Sequence, residues 1–145
     1  MNSPKISWLL FISLSLILAG CGSTQQGPGE GTAPADCRVA LPERLGTVTL
    51  QKGPDDCDVH YVFANPGSGR IRLLVDGALT VEAGTVIEFG ARTLLDVSDL
   101  GSLQAIGTEQ QPIVFKGQAA THGYWFGICF DNNRESNLDF VHVLY

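Results

Sequence analysis

The chain has 145 residues, 44% of them hydrophobic, and carries a formal net charge of −6 at pH 7. This hydrophobic content is too high for an intrinsically disordered protein, and the length fits about one small domain. The acidic balance argues against a nucleic-acid partner, because a phosphate backbone is bound by a basic face. We therefore expect a folded domain that does not bind nucleic acid.

Residues 1–20 have the pattern of a signal peptide. Lys5 adds positive charge near the N-terminus, and Ile6 to Ala19 form an apolar run that only serines interrupt. A bilayer span needs roughly 20 apolar residues, so this run is short for a permanent membrane helix. These features are typical of a cleaved leader, and we predict that residues 1–20 are removed.

Residues 18–21, LAGC, resemble the lipobox of bacterial lipoproteins. In that family the cysteine, here Cys21, receives a diacylglyceryl group and becomes the new N-terminus. Two or three acyl chains, at about 0.8 kcal/mol for each buried CH₂, hold a protein on a membrane without a spanning helix. Because Gly22 rather than aspartate follows, the resemblance implies an outer-membrane lipoprotein of the bacterial cell envelope, on its periplasmic or its surface face. The alternative is an ordinary secretory signal followed by a chance cysteine.

Residues 21–36 are predicted to be a flexible tether. The sequence after Cys21, GSTQQGPGEGTAPAD, contains no large apolar residue. Such a segment cannot bury enough surface to offset the entropy lost on ordering. We expect it to link the lipid anchor to the folded domain.

Residues 37–70 are expected to form an N-terminal capping region. The segments 48–51 and 59–63 are strand-like, and the turn residues Gly, Pro and Asp at 53–55 separate them. These segments match each other less well than the later ones do. We therefore place the start of the regular repeats at residue 71.

The cysteines predict one disulfide bond. Cys37 and Cys57 flank the capping region, and outside the cytoplasm their oxidised pair is the expected state. Closing a loop of this length contributes about 3 kcal/mol on the chain-entropy estimate. Cys129 is predicted to be a small buried side chain in an apolar strand, or one whose partner lies beyond Tyr145.

Residues 71–145 contain short strands that repeat. Two trios of strand-like segments are followed by the start of a third at Asn137: 79–81, 86–89 and 94–97, then 102–106, 112–116 and 125–130. Leu79 and Leu103 are 24 positions apart, and Phe89 and Phe115 are 26 apart, which is within the range expected of solenoids. Such strands pair with the equivalent strand of the next coil, about 4.8 Å away. The corners are predicted at three glycines: Gly84, Gly90 and Gly107.

The runs GALTVEAGTVIEFG at 77–90, GSLQAIGTEQQPIVF at 101–115 and WFGICF at 125–130 resemble the opening coils of bacterial right-handed parallel β-helix repeat proteins, many of which are lipoproteins. The resemblance covers residues 71–145. It implies an all-β, right-handed parallel β-helix, with its first two to three coils present after the signal peptide and the linker. Because residues 138–145 end without a turn or a cap, we expect an N-terminal fragment with a truncated helix.

One acidic cluster contains residue types that can bind a metal ion. Asp55, Asp56, Cys57, Asp58 and His60 lie close in sequence, but their spacing does not match the twelve-residue calcium loop. We interpret the cluster as a solvated turn. No metal ion or cofactor is predicted.

Five acidic residues are expected to point outward from the repeat strands: Glu82, Glu88, Asp96, Asp131 and Asp139. The resemblance implies that a lyase or hydrolase on this fold would place carboxylates and basic residues on one outer sheet. No such constellation matches residue by residue, so we interpret these acids as surface charge and predict no catalytic residue.

The two remaining histidines and the nearby aromatic residues do not indicate a catalytic, metal or sugar-binding site. Neither His122 nor His142 has a partner at a spacing typical of a triad or a zinc site. Tyr124 and Trp125 can stack on a sugar ring in principle, but core packing is the favoured interpretation.

The sequence thus favours a lipid-anchored envelope or surface protein that acts as a non-catalytic scaffold or binding module for a glycan or a protein. The alternative is a polysaccharide lyase or glycoside hydrolase whose active site lies in coils beyond Tyr145. In sequence that continues past Tyr145, stacked carboxylates with a lysine or arginine would favour the enzyme. Repeated Asn, Ser and Thr at the outward positions of those coils would favour the scaffold.

Overall fold

The computed structural model describes residues 37–131 and 134–145, and every regular element in these ranges is a β-strand. The predicted signal peptide, the lipidation site Cys21 and the tether at 21–36 lie outside the described residues. The strands in chain order are β1 (Val39–Ala40), β2 (Arg44–Leu45), β3 (Val48–Leu50), β4 (Tyr61–Phe63), β5 (Ile71–Val75), β6 (Ala78–Val81), β7 (Val86–Phe89), β8 (Thr93–Val97), β9 (Ser102–Ile106), β10 (Ile113–Gly117), β11 (Ile128–Phe130), β12 (Asn137–Asp139) and β13 (Val141–Leu144).

Each strand pairs with the third strand before or after it in the chain. The first sheet has the order β1-β4-β7-β10-β13, the second β2-β5-β8-β11 and the third β3-β6-β9-β12. All pairs are parallel. Consecutive strands therefore belong to different sheets, which is the arrangement of a parallel β-solenoid. The prediction of an all-β fold with parallel sheets between successive coils is confirmed.

The described residues contain four three-strand coils, and β13 begins another. This exceeds the two to three coils expected, because the pairing already starts at Val39. Residues 37–70, expected as a capping region, contribute β1 to β4 to the same three sheets. Since β1 and β2 have two residues each, they are too short to show an alternating hydrophobic pattern.

Alternate residues of each strand point into the solenoid and stack on their equivalents in the next coil. Leu79 pairs in register with Leu103, and Val75 with Val97, and all four are essentially inaccessible to solvent. Burying a side chain of this size stabilises the fold by about 1.5–3 kcal/mol. The step of 24 positions from Leu79 to Leu103 was predicted correctly.

The predicted step of 26 positions from Phe89 to Phe115 does not describe the register. Phe115 pairs with Ile87, 28 positions earlier, whereas Phe89 pairs with Phe63 before it and Gly117 after it. The two rings are near neighbours, with centroids 6.3 Å apart, but they occupy different positions along the strands.

Trp125 explains this difference. It comes from the segment between β10 and β11, is 3% exposed, and stacks on Phe89 with ring centroids 4.3 Å apart and planes 11° apart. Its Nε1–H donates to the carbonyl of Leu144 at 2.9 Å. A Cβ at Gly117 would lie 3.2 Å from Cδ1 of the indole ring. Trp125 thus lies against Gly117, which has no side chain of its own, and the preference for packing over sugar stacking is confirmed for this residue.

Two of the predicted corner positions show different reasons why glycine is required at a corner. Gly84, between β6 and β7, has φ of 78°, in the left-handed region that favours glycine. Gly90, between β7 and β8, has an ordinary φ, but a Cβ there would lie 2.7 Å from the backbone nitrogen of Asn65 in the preceding coil. Close approach between coils therefore requires glycine at this second corner.

We expect Phe89→Ala to lower the free energy of unfolding by about 3–5 kcal/mol, because the change leaves a cavity between Phe63 and Trp125. The matched control is Phe126→Ala, since the Phe126 side chain is 48% exposed. Its ring contacts the Arg70 guanidinium, a contact worth about 0.5–1 kcal/mol at an exposed site. Urea unfolding followed by circular dichroism measures both changes. Equal losses in the two variants would contradict this account of the core.

Candidate functional site

Cys37 and Cys57 form the predicted disulfide, with their Cα atoms 5.4 Å apart. The bond joins the residues that precede β1 to the segment that precedes β4, and therefore ties the first coil to the second. Cys57 is buried, while Cys37 is exposed. The bond therefore stabilises the N-terminal end of the solenoid.

One carboxylate of the acidic cluster at 55–58 is paired with a basic side chain. Asp55 pairs with Lys52, whose hydrogen bond and positive charge lower the pKa of that carboxyl group. His60 is buried, and its Nδ1 accepts a hydrogen bond from the backbone N–H of Val86 at 2.9 Å. The imidazole therefore serves the packing between β4 and β7.

The five outward acids are spread over all three outer faces. Glu88 lies on the first sheet, Asp96 on the second and Asp139 on the third, while Glu82 follows β6 and Asp131 follows β11. The pattern of catalytic carboxylates gathered on one sheet is therefore not what the described strands show.

Two of these acids are buried by partners from other coils. Glu88 lies between Arg38, at 2.7 Å, and Lys116, at 3.4 Å, and its side chain is 10% exposed. Asp96 accepts a hydrogen bond from Arg72 at 2.9 Å and has a side chain 6% exposed. These carboxylates hold different coils together, and Arg38 and Glu88 lie two coils apart.

Cys129 is exposed on β11, so the prediction of a buried cysteine is wrong. Ile128 packs against the core, and the alternation of side chains along a strand directs the next residue outward. Cys129 is in register with Asp96 on β8. The pKa of its thiol is raised, first by desolvation and then by the negative charge of Asp131.

The two remaining histidines are exposed. His122 lies in the segment between β10 and β11, and His142 lies on β13. In the described ranges, neither belongs to a group of three or more side chains able to hold a metal ion.

The outer face of the third sheet carries a continuous row of uncharged polar side chains. Thr49, Thr80, Gln104 and Asn137 follow one another in register across the four coils. We call these four residues the amide and hydroxyl row. Neighbouring coils are about 4.8 Å apart, so the row presents a hydrogen-bonding group at regular intervals. The row was not predicted from the sequence, although the step of 24 positions also relates Thr80 to Gln104.

A shallow groove of about 530 Å³ runs beside the row. Thr80 and Gln104 line it, together with Gln111, Lys52 and Glu82. The carboxylate of Glu82 accepts a hydrogen bond from the backbone N–H of Lys52 at 3.3 Å. Among the described residues that line the groove, Glu82 carries the one carboxylate, so the groove offers hydrogen bonds to a ligand rather than an acid–base pair of carboxylates.

Comparison with protein-family models, with curated proteins and with solved structures found no match to this chain. Within residues 37–131 and 134–145 there is no helix long and apolar enough to cross a membrane. The function proposed for this chain therefore rests on the chemistry of its own outer faces.

We expect the protein to lose stability as the pH falls below about 6.5, because burial lowers the pKa of His60 from that ordinary value. Above this pH the imidazole is neutral in both the folded and the unfolded chain. Below it the unfolded chain takes up a proton that the folded chain resists, so the free energy of unfolding falls until the pH reaches the folded-state pKa.

Urea unfolding at a series of pH values from about 5 to 8 covers the range in which the imidazole of the unfolded chain titrates. His60→Asn retains a side-chain oxygen that can accept from the Val86 N–H and should lose this part of the pH dependence. His122→Asn, in an exposed segment, is the control and should behave as the unmodified protein does. An unchanged pH dependence in His60→Asn would show that another group is responsible.

Proposed function

We propose that this protein is a lipid-anchored, right-handed parallel β-helix of the bacterial cell envelope, and that it acts as a non-catalytic binding scaffold. The observation that carries the binding role is the amide and hydroxyl row, which crosses four coils on one outer face. A neutral glycan is the ligand class that its chemistry favours. A protein ligand is the other outcome to be tested.

The right-handed form is supported by a general rule of chain connection. A strand that returns through a crossover to a parallel neighbour in the same sheet does so with a right-handed connection in about 98% of cases. Every parallel pair in the described sheets is of this crossover kind, since two strands of other sheets intervene. The resemblance of the repeat runs to right-handed β-helix proteins points the same way.

The binding role is supported by how the polar groups are used. Of the four side chains in the row, Gln104 donates to the carbonyl of Glu135 at 3.1 Å. Thr49, Thr80 and Asn137 are exposed. A chain of sugar hydroxyl groups can meet such a row at several coils at once, and each added contact contributes because the strands already hold the groups in position.

The lipid anchor is supported by residues 18–21, LAGC, and by the apolar run before them. We expect Cys21→Ser to abolish incorporation of labelled fatty acid and to release the protein from the membrane fraction, because the acylated thiol is lost. Cys129→Ser is the matched control and should retain both properties. If Cys21→Ser is still labelled and still sediments with membranes, the protein is not a lipoprotein of this type.

The binding face is tested with Thr80→Arg, which places a long charged side chain in the middle of the row. We expect this variant to weaken binding to a neutral polysaccharide by about tenfold or more, which corresponds to roughly 1.4 kcal/mol. Thr121→Arg, at an exposed position outside the third sheet, makes the same substitution and should leave binding unchanged.

Affinity electrophoresis or calorimetry measures how tightly the unmodified protein and the two arginine variants bind a panel of neutral and acidic polysaccharides. Equal binding by the two arginine variants would contradict a ligand on the third sheet. Capture of a protein but no polysaccharide, with loss in Thr80→Arg, would assign a protein ligand to the same face. Cleavage of an acidic polysaccharide would favour the enzymatic alternative.

A further inference from the structure

A cluster of three side chains lies on the outer face of the second sheet, away from the amide and hydroxyl row. One oxygen of Asp96, the Sγ of Cys129 and one oxygen of Asp131 all lie within 4.8 Å of one another. The parallel register places Asp96 directly beside Cys129. Strand pairing continues to Asp131, whose N–H donates to the carbonyl of Val97 at 2.9 Å, so its side chain returns to the same face as that of Cys129.

Asp96 is also buried with one carboxylate oxygen left unpaired, which is a second feature that points to a ligand. The residue is 4% exposed, and its Oδ1 is buried without a hydrogen-bond partner, while Oδ2 accepts from Arg72 at 2.9 Å. A buried carboxylate oxygen that lacks a donor loses its hydration without compensation. A cation bound within the cluster would provide that compensation.

The geometry and the atom types fit a thiophilic divalent cation. Zinc takes sulfur at about 2.3 Å and carboxylate oxygen at about 2.0–2.2 Å in a tetrahedral arrangement, which sets the sulfur and oxygen ligands about 3.6 Å apart. The Sγ of Cys129 lies 3.7 Å from Oδ1 of Asp131. Calcium and magnesium prefer sites built from oxygen alone, so the thiol distinguishes between the two classes of ion.

We propose that Asp96, Cys129 and Asp131 bind one zinc ion or a similar thiophilic cation, with a water molecule as the fourth ligand. The thiol gives its proton to solvent when the metal–sulfur bond forms. Arg72 holds the other oxygen of Asp96 and positions that carboxylate as an outer partner of the site. The three ionised ligands carry three negative charges and Arg72 carries one positive charge, which leaves two for a divalent cation to balance.

The test uses the full chain carrying Cys21→Ser. Of the four cysteines in the sequence, Cys37 and Cys57 are joined to each other, so Cys129 is then the unpaired thiol. Zinc affinity is measured by competition with a chromogenic chelator in buffers without thiol reductants. Cobalt(II) replaces zinc as a spectroscopic probe, because a sulfur ligand produces thiolate-to-cobalt charge-transfer absorption in the near ultraviolet.

We expect one equivalent of zinc and a cobalt charge-transfer band. Cys129→Ser should abolish the band, and both Cys129→Ser and Asp131→Asn should weaken zinc binding by at least the roughly 10- to 100-fold that loss of an outer partner costs. Asp139→Asn, an exposed acid on β12, is the matched control and should bind zinc as the parent does.

Two further measurements guard against variants that fail to fold. Cys129 and Asp131 are both exposed, so their variants should keep the parent circular dichroism spectrum. Zinc should also slow alkylation of Cys129 in the parent and in Asp139→Asn, but not in Asp131→Asn. Zinc affinity unchanged in Cys129→Ser, or a cobalt complex without the charge-transfer band, would overturn the proposal. Because the site shares no residue with the amide and hydroxyl row, either proposal can fail while the other stands.

Discussion

Parallel pairing between successive coils is the constraint on which the rest of the structure depends. Once Leu79 is in register with Leu103, the neighbouring Thr80 and Gln104 must face outward together. The same hydrogen bonds that hold the coils therefore build both the apolar column inside and the rows of side chains outside. A face with regular chemistry follows from the fold wherever the outward residues of successive coils are alike.

The sequence predicted this fold where its strands are long enough to alternate. In the third sheet the step of 24 positions gave the correct register. The first coil was missed because two of its strands have two residues each. The register around Phe89 was missed for another reason. A side chain from outside the strands can fill the interior of the solenoid if its volume fits. Trp125 does so from a connecting segment, and it packs next to Gly117, the glycine that pairs with Phe89.

The candidate sites were predictable to different degrees. The outward position of Cys129 follows from the apolar residue before it, and Gln104 follows from Thr80 by the same step as the core. Coil length varies elsewhere, since Gln104 and Asn137 are 33 positions apart, as are Asp96 and Cys129. The segment between β10 and β11 lengthens this coil, so no fixed period could place Asp96 beside Cys129.

The three outer faces differ in whether their outward side chains are used in ion pairs between coils, and this difference bears on function. Ion pairs between coils hold the first and second faces, through Arg38 and Lys116 with Glu88 and through Arg72 with Asp96. Pairs of this kind contribute little when exposed, but these carboxylates are largely buried and leave an unpaired charge if a partner is removed. The carboxylate oxygens that accept from these basic side chains therefore hold the coils together. The row on the third face is uncharged and mostly exposed, so its groups can bind a ligand without weakening the contacts between coils.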